Sequence, residues 1–296
     1  MGSTSNHELQ VIALDIGGSS IKSALVGSYR CLAGPVATMP IDSRANADAI
    51  FATFAAAVRQ HLPGTSAQRL LGVAIGCPGP FDYKAGVSYI NGVAKYESIY
   101  GVNVGMGLRA QLDMPALPIL FRNDAEAAIL GEARYGAGTC YQRLIGVTLG
   151  TGLGAAFVVD GLRVTEGPGV ARDGWLYHVP YHALPADDVF STRGLLARLR
   201  AIEITYDSVV AFAAAAREGK TQLRQGFAAF GDNLGDFLYP FVVAFAAQAV
   251  LVLGGIAGAI DLFGASAADR LPVPIVAGQL GAAASLLGAA DLLFDP

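Results

Sequence analysis

The sequence predicts an α/β protein built as two similar lobes. Three observations predict it: apolar strands alternate with alanine-rich helices, a glycine-rich strand–turn–strand segment lies near the N-terminus, and a second copy of that segment follows about 130 residues later. The first copy, Ile12–Ser28, reads IALDIGGSSIKSALVGS, and the second, Ile145–Gly161, reads IGVTLGTGLGAAFVVDG. Laid together without gaps, Ile12 falls on Ile145, Leu14 on Val147, Ile16 on Leu149 and Leu25 on Val158. Gly17 falls on Gly150, and Asp15 on Thr148.

Each copy reads as a β-hairpin with a tight turn, in which small residues let backbone N–H groups approach an anion. Two copies at domain-sized separation argue for two lobes that present paired hairpins to one ligand, and a polyphosphate tail suits them. Other glycine motifs do not fit. No Gly-x-x-x-x-Gly-Lys-Ser/Thr occurs, and the run Gly150, Gly152, Gly154 lacks the last glycine of the dinucleotide fingerprint and precedes a strand. Gly17-Gly18-Ser19-Ser20-Ile21 misses the nucleophile-elbow pattern at its final position.

Between the hairpins, Ala45–His61 reads as a helix, Leu70–Gly76 as a strand and Val104–Leu112 as a short helix. Pro118–Phe121 reads as a strand running into Asn123 and Asp124, with a helix over Ala125–Tyr135 behind it. Ligand sites of α/β sheets open at such strand ends, so Asp124 is a candidate general base. Taken alone, an Asn-Asp pair before a helix reads first as a helix cap, with Glu126 completing a capping-box-like pattern. Asp15, which closes the first strand, likewise reads as a turn-starting residue or a ligand-side carboxylate. Lys22 reads either as a phosphate contact or as a solvated lysine on a sheet edge.

Composition narrows the classes. The chain has 296 residues, a formal net charge of -4 and 15% charged residues, with no like-charge run, so no nucleic-acid footprint is expected. Cys31, Cys77 and Cys140 are scattered, which fits a reducing, cytoplasmic setting. Mean hydropathy is high at +0.46. The uncharged stretch Pro240–Ile260 is long enough to cross a bilayer and contains a Gly254-x-x-x-Gly258 spacing. Pro240, Gln248, the Gly254–Gly255 pair and the lack of flanking Lys or Arg favour a helix ending near Gln248, then a buried strand Ala249–Leu253 and a glycine turn. No membrane association is expected. The polar start MGSTSNHEL lacks an apolar core for a secretory signal, and Asn6 breaks the myristoylation pattern, so it reads as a disordered end.

The segments VIALDIGGSSIKSALV, GVAIGCPGPFD, FRNDAEAAILGEARYGAG, GVTLGTGLGAAFVVDG, VLVLGGIA and AASLLGAA resemble, in order, those of the ROK family of sugar kinases. The resemblance implies two ribonuclease-H-like lobes of the actin-like ATPase superfamily around a hinged cleft. It implies an N-terminal lobe over 1–120 and a C-terminal lobe over 121–296, and leaves open whether the last helix returns to the first lobe. It also implies ATP and Mg2+ as cofactors, a sugar substrate and a homodimer. The first hairpin begins at Val11, so the winged helix of ROK repressors is not expected.

The resemblance also implies roles for particular residues. Asp124 is the base that accepts a sugar hydroxyl proton, and Asn123 bonds a sugar hydroxyl. Asp15 orients Mg2+, through water. Gly17, Gly18, Ser19 and Lys22 face the phosphates, as do Thr151 and Gly152. Gly254 and Gly255 lie on the adenosine side. Gly79, in Cys77-Pro78-Gly79-Pro80, belongs to the substrate loop, although turn formation explains it as well. His178 matches the sugar-binding histidine of a Gly-Glu-x-Gly-His pattern, in which Trp175 and Tyr177 replace the glutamate and the second glycine. Asp187 stands where a second sugar-binding glutamate is usual.

The family's cysteine-rich zinc loop is replaced by VPYHALPADD over Val179–Asp188. His178, His182, Asp187 and Asp188 make no recognised tetrahedral set, so no structural zinc is expected. The expected activity is ATP-dependent phosphorylation of a hexose or N-acetylhexosamine hydroxyl. Two alternatives stay open: a sugar-binding or regulatory protein without catalysis, favoured by Trp175 and Tyr177, and a kinase using polyphosphate, which occurs among zinc-free family members.

Overall fold

The structure, a computed structural model, describes residues 8–66, 68–200 and 204–295. Strand β1 (Gln10–Ile16) is buried at six of seven positions, as expected of a strand covered on both faces. It pairs antiparallel with β2 (Ser20–Gly27), which pairs antiparallel with β3 (Ala37–Pro40). The chain then forms helix α1 (Ala47–Arg59), capped by the Asn46 side chain on the amide of Ala49, and β4 (Leu70–Cys77), parallel to β1. A small hairpin of β5 (Phe81–Asp82) and β6 (Val87–Ser88) precedes α2 (Val104–Leu112). Strand β7 (Ile119–Asn123) adds in parallel beside β4 and leads directly into α3 (Asp124–Tyr135). The sheet order is β3-β2-β1-β4-β7.

The second sheet repeats this plan. Its hairpin is β8 (Arg143–Leu149) and β9 (Leu153–Val159), extended by β10 (Leu162–Val164). A two-stranded ribbon of β11 (Pro180–Tyr181) and β12 (Leu184–Pro185) precedes α4 (Ala186–Phe190), α5 (Thr192–Arg200), α6 (Val209–Arg217) and α7 (Thr221–Phe245). Strand β13 (Ala249–Leu253), α8 (Ile260–Ala268) and β14 (Ile275–Ala277) complete the order β10-β9-β8-β13-β14. In both sheets an antiparallel three-strand meander is followed by two parallel strands, the ribonuclease-H-like arrangement. The last helix, α9 (Ala282–Phe294), packs on β1, β2, β4 and β7 of the first sheet.

Two differences from the sequence reading have clear causes. Residues up to Gly131, with those from Gly281 onward, form one unit, and Glu132–Leu280 form the other. The division therefore falls after residue 131 rather than 120, because β7 belongs to the first sheet. The hairpins also do not superpose without a gap. Ile12 pairs with Leu25, whereas Ile145 pairs with Phe157, so Leu25 corresponds to Phe157 rather than Val158. The second turn is one residue shorter, and both Leu25 and Phe157 lie in the core of their own unit.

The apolar stretch from Pro240 resolves into the end of α7, a left-handed cap at Ala246, strand β13 and a glycine turn, with Pro240 accommodated inside the helix. Gln248 accepts the amides of Gln142 (2.7 Å) and Arg143 (3.1 Å) through Oε1, which gives a polar residue in an apolar run a structural task. No helix among the described residues is long and apolar enough to cross a membrane. The polar N-terminal residues 1–7 lie outside the described residues.

Small residues allow α3 and α9 to approach within backbone contact. A Cβ on Gly131 would overlap the Ala284 carbonyl, and one on Gly288 would overlap the Ala127 carbonyl. Arg30 fixes the far end of α9 through Asp291 (3.2 Å) and Asp295 (2.6 Å), with its guanidinium 4.3 Å from the centre of the Phe294 ring. Gly288→Ala is therefore expected to destabilise the first unit by about 1–3 kcal/mol, the usual range for overpacking, measured as a lowered denaturation midpoint.

Candidate active site

Strands β1, β4 and β7 run parallel and are in register, so Asp15 lies beside Gly76, and Cys77 beside Asn123. Asp15 shares a face of β1 with Val11 and Ala13, against α9, by the two-residue strand period. A side-chain hydrogen bond from Ser285 of α9 reaches it, and Lys22, its cross-strand partner, stands 3.8 Å away. Burial nevertheless raises the Asp15 pKa, with Ser285 and Lys22 opposing the rise. Lys22 lies on β2, which is flanked on both sides, so it is not on a sheet edge.

Asp124 opens α3 at the carboxyl end of β7. Its Oδ1 accepts the Ala125 amide at 2.8 Å, while Asn123 Oδ1 accepts the Glu126 amide at 3.1 Å. The capping role is thus real and falls on Asn123, and the Asp124 carboxylate keeps a second oxygen for other chemistry. Glu126 pairs with Arg122 at 3.4 Å. Desolvation raises the Asp124 pKa to about 6, the Ala125 amide works against it, and the neighbouring negative charge of Asp15 adds to the rise. Burial, with both aspartates, also drives the Cys77 thiol pKa upward, so the thiol stays protonated.

The substrate-loop candidate Gly79 precedes a cis peptide to Pro80. The Tyr83 hydroxyl donates to the Cys77 carbonyl (3.3 Å) and accepts from Asn123 Nδ2 (3.0 Å). A Cβ on Gly79 would stand 3.2 Å from that hydroxyl. Asn123 therefore already has one partner on each side of its amide, with one N–H to spare. Tyr83 is a residue the sequence reading missed, since nothing in its spacing marks it.

The first hairpin turn is braced from outside. Gly17 N–H donates to the Ser20 carbonyl at 2.9 Å, the Tyr96 hydroxyl donates to the Gly17 carbonyl, and Ser43 Oγ donates to the Gly18 carbonyl at 2.8 Å. Ser19 lies exposed at the tip, its carbonyl accepting the Ile41 amide. Ser43 and Tyr96 come from irregular segments, where no periodic signal exists to find them.

In the second unit, Gly150 N–H donates to the Gly152 carbonyl at 3.1 Å, and the Gly150 carbonyl accepts the Thr192 amide at 2.7 Å. Thr151 is exposed at the turn. Gly254 has φ of +90°, and a Cβ there would collide with the Leu149 backbone, so only glycine closes this approach of β13 to the hairpin. Nothing crowds Gly255.

Asp187 differs from expectation. Its Oδ1 accepts the Leu153 amide at 2.7 Å and its Oδ2 pairs with Arg193 at 3.1 Å, so the carboxylate braces the second hairpin and both oxygens have protein donors. Asp188 pairs with the same arginine. His178 is exposed against Tyr177, ring centres 5.0 Å apart, and Trp175 lies 6.0 Å from Tyr177. His182 packs on Tyr181. No group of three or more His, Cys, Asp or Glu suited to a metal occurs among the described residues.

Asp187→Ala leaves a partly buried amide without its acceptor. It is expected to speed hydrogen exchange at Leu153 and to lower stability by about 1–3 kcal/mol in chemical denaturation.

Comparison with known proteins agrees with this architecture. The ROK family model matches residues 11–295. A glucokinase from Halalkalibacterium halodurans is 30% identical over 159 residues, covering 51% of this chain and 44% of that protein. The chain thus spans about half the length of the curated relatives it matches. The crystal structure of a ROK family glucokinase from Streptomyces griseus, solved with glucose and AMPPNP, superposes with a TM-score of 0.75 at 24% identity, covering 96% of this chain and 98% of that one. An inorganic polyphosphate/ATP-glucomannokinase from Arthrobacter superposes with a TM-score of 0.70 at 25% identity, again covering 96% and 98%. With the family model spanning nearly every described residue of both sheets, the chain belongs to the ROK family.

Proposed function

We propose that the protein transfers the terminal phosphoryl group of ATP to a hydroxyl of a hexose or N-acetylhexosamine-type sugar, with Asp124 as the general base. The observation that carries this reading is the Asp124 carboxylate. It stands at a strand end beside Asp15, partly desolvated, with a pKa of about 6 that leaves it roughly nine-tenths ionised at pH 7. The sugar oxygen attacks the phosphorus, the bond to the ADP oxygen breaks, and the hydroxyl proton passes to Asp124. Asn123 offers its free N–H to the sugar, and the Gly79 loop borders it. The exposed ring of His178, with Trp175 and Tyr177, offers hydrogen bonding and stacking to a sugar face.

The turns of the two hairpins, Gly18 and Ser19 in one and Thr151 and Gly152 in the other, supply backbone N–H groups for phosphates, with Gly17 closing the first turn through its own N–H on the Ser20 carbonyl. Lys22 contributes charge beside Asp15, and the Gly254–Gly255 turn serves the adenosine side. Asp15 fits a Mg2+ partner: it is a partly exposed carboxylate whose ion-pair partner among the described residues, Lys22, is at 3.8 Å, and Mg2+ is commonly held by one or two carboxylates together with phosphates and water. The ion supplies charge neutralisation on the phosphate oxygens when it is bound.

An ADP-release assay over a sugar panel tests the reading. Asp124→Asn is expected to lower kcat by about 10²- to 10⁴-fold, the usual worth of general-base assistance. Wild-type kcat/KM is expected to rise with pH through about 6 and then level off, because the base acts only when ionised. The same titration acts on stability. The folded pKa lies above the ordinary value of 3.8, so this group favours the fold at low pH and loses that contribution as pH rises through about 6. Asp124→Asn is therefore expected to keep its thermal midpoint above that pH. Undiminished turnover in this variant removes Asp124 from the mechanism. Silence across the panel, with sugar still raising the thermal midpoint, favours the sugar-binding reading to which Trp175 and Tyr177 point.

A further inference from the structure

The structure assigns Lys95 as a phosphate-binding residue of the first hairpin, placed to contact the terminal phosphoryl group of a polyphosphate chain. This inference rests on the kinase reading above and names a donor-side residue that neither the hairpin motif nor its glycines identify.

A Cβ on Gly18 would stand 2.7 Å from Lys95 Nζ, 3.0 Å from Cε and 3.1 Å from Cδ, so the end of this side chain lies across the turn. The placement is built rather than incidental. Lys95 sits between two residues in the left-handed region, Ala94 (φ 54°) and Tyr96 (φ 57°), a strained arrangement for residues with side chains. Each neighbour is held. The Ala94 amide donates to the Glu97 carboxylate at 2.9 Å, and the Ala94 carbonyl accepts Arg44 Nε at 3.2 Å. Tyr96 is 2% exposed, its amide donates to the Ser43 carbonyl at 2.6 Å, and its hydroxyl donates to the Gly17 carbonyl. Ser43 in turn donates to the Gly18 carbonyl. The loop that carries Lys95 is thus fastened to the turn directly at the Gly17 carbonyl and, through Ser43, at the Gly18 carbonyl.

Charge separates the two lysines at this turn. Lys22 faces Asp15, which offsets its charge. No ion pair of Lys95 occurs among the described residues, so no carboxylate offsets it over the turn. The Gly17 and Gly18 carbonyls are occupied by Tyr96 and Ser43, which directs the turn's acceptors away and leaves the cation for an anion. A terminal phosphoryl group, the most highly charged part of either a nucleoside triphosphate or an inorganic chain, matches that chemistry.

The test measures binding of Mg2+–ATP and of Mg2+–tripolyphosphate to the full chain by calorimetry, for wild type, Lys95→Met and Lys95→Arg. Lys95→Met is expected to weaken binding by about 10- to 100-fold, the effect of losing one charge-assisted contact, while its thermal midpoint without ligand stays at the wild-type value. Lys95→Arg is expected to retain most of the affinity. In turnover, Lys95→Met is expected to lower kcat/KM for the donor with the KM for sugar unchanged. Loss with ATP alone assigns the nucleotide as the source of the phosphate, loss with tripolyphosphate alone assigns the inorganic chain, and loss with both assigns recognition of the shared phosphates. Lys95→Met binding within about twofold of wild type for both probes overturns the assignment, as does wild-type protein that binds neither, or an equal loss in Lys95→Arg. Wild-type binding that depends on Lys95, without turnover of any sugar, sinks the kinase reading and leaves this assignment standing.

Discussion

A carboxylate that has lost much of its water either finds fixed donors or takes up a proton, and the first unit is organised around that constraint. Asp124 receives one backbone N–H from Ala125 at the start of α3, which limits the rise of its pKa without abolishing it. Asp15 is partly balanced by Ser285 and Lys22. The two acids lie at the ends of parallel strands, and the charge of Asp15 makes Asp124 harder to ionise. An arrangement of this kind is poor for stability and useful for proton transfer, since it keeps a base close to neutrality in its affinity for protons. The supports around it are correspondingly specific: α9 brings Ser285, the β4 end brings the Tyr83 contact, and Asn123 takes over the cap that Asp124 would otherwise provide.

The second unit uses the same sheet order for a different local purpose. Thr148 stands where the first unit has Asp15, so no carboxylate closes its hairpin strand. The shorter turn is instead tied down by the segment that follows the ribbon, through Thr192 on the Gly150 carbonyl and Asp187 on the Leu153 amide. The two hairpins share a sequence pattern and a place in the sheet order, yet one is fastened by neutral hydroxyls on its carbonyls and the other by a backbone amide and a carboxylate.

Much of this was legible in the sequence. Glycine turns between alternating apolar residues mark hairpins directly, and a repeat at domain-sized spacing marks two sheets. The Asn-Asp pair after a strand marks the strand end. What escaped notice has physical reasons. A one-residue change in turn length is invisible when apolar residues occupy neighbouring positions, so Val158 matched Leu25 as well as Phe157 did. The span over Lys95 and Tyr96 carries no period because its shape comes from left-handed residues and distant hydrogen bonds. Asp187 resembled a ligand residue in position, and only its partners reveal a brace. The division of the chain was displaced because a strand's sheet membership is set by its pairing partner, which lies far off in sequence.

The return of α9 to the first sheet has a consequence for how the chain assembles. The residues of the second unit run without interruption, so that unit has all its parts while the chain is still emerging from the ribosome. The first unit begins earlier yet lacks the helix that covers β1 and β4 until its neighbour has been synthesised. Its apolar face waits uncovered through that interval, a window in which a chaperone has something to hold.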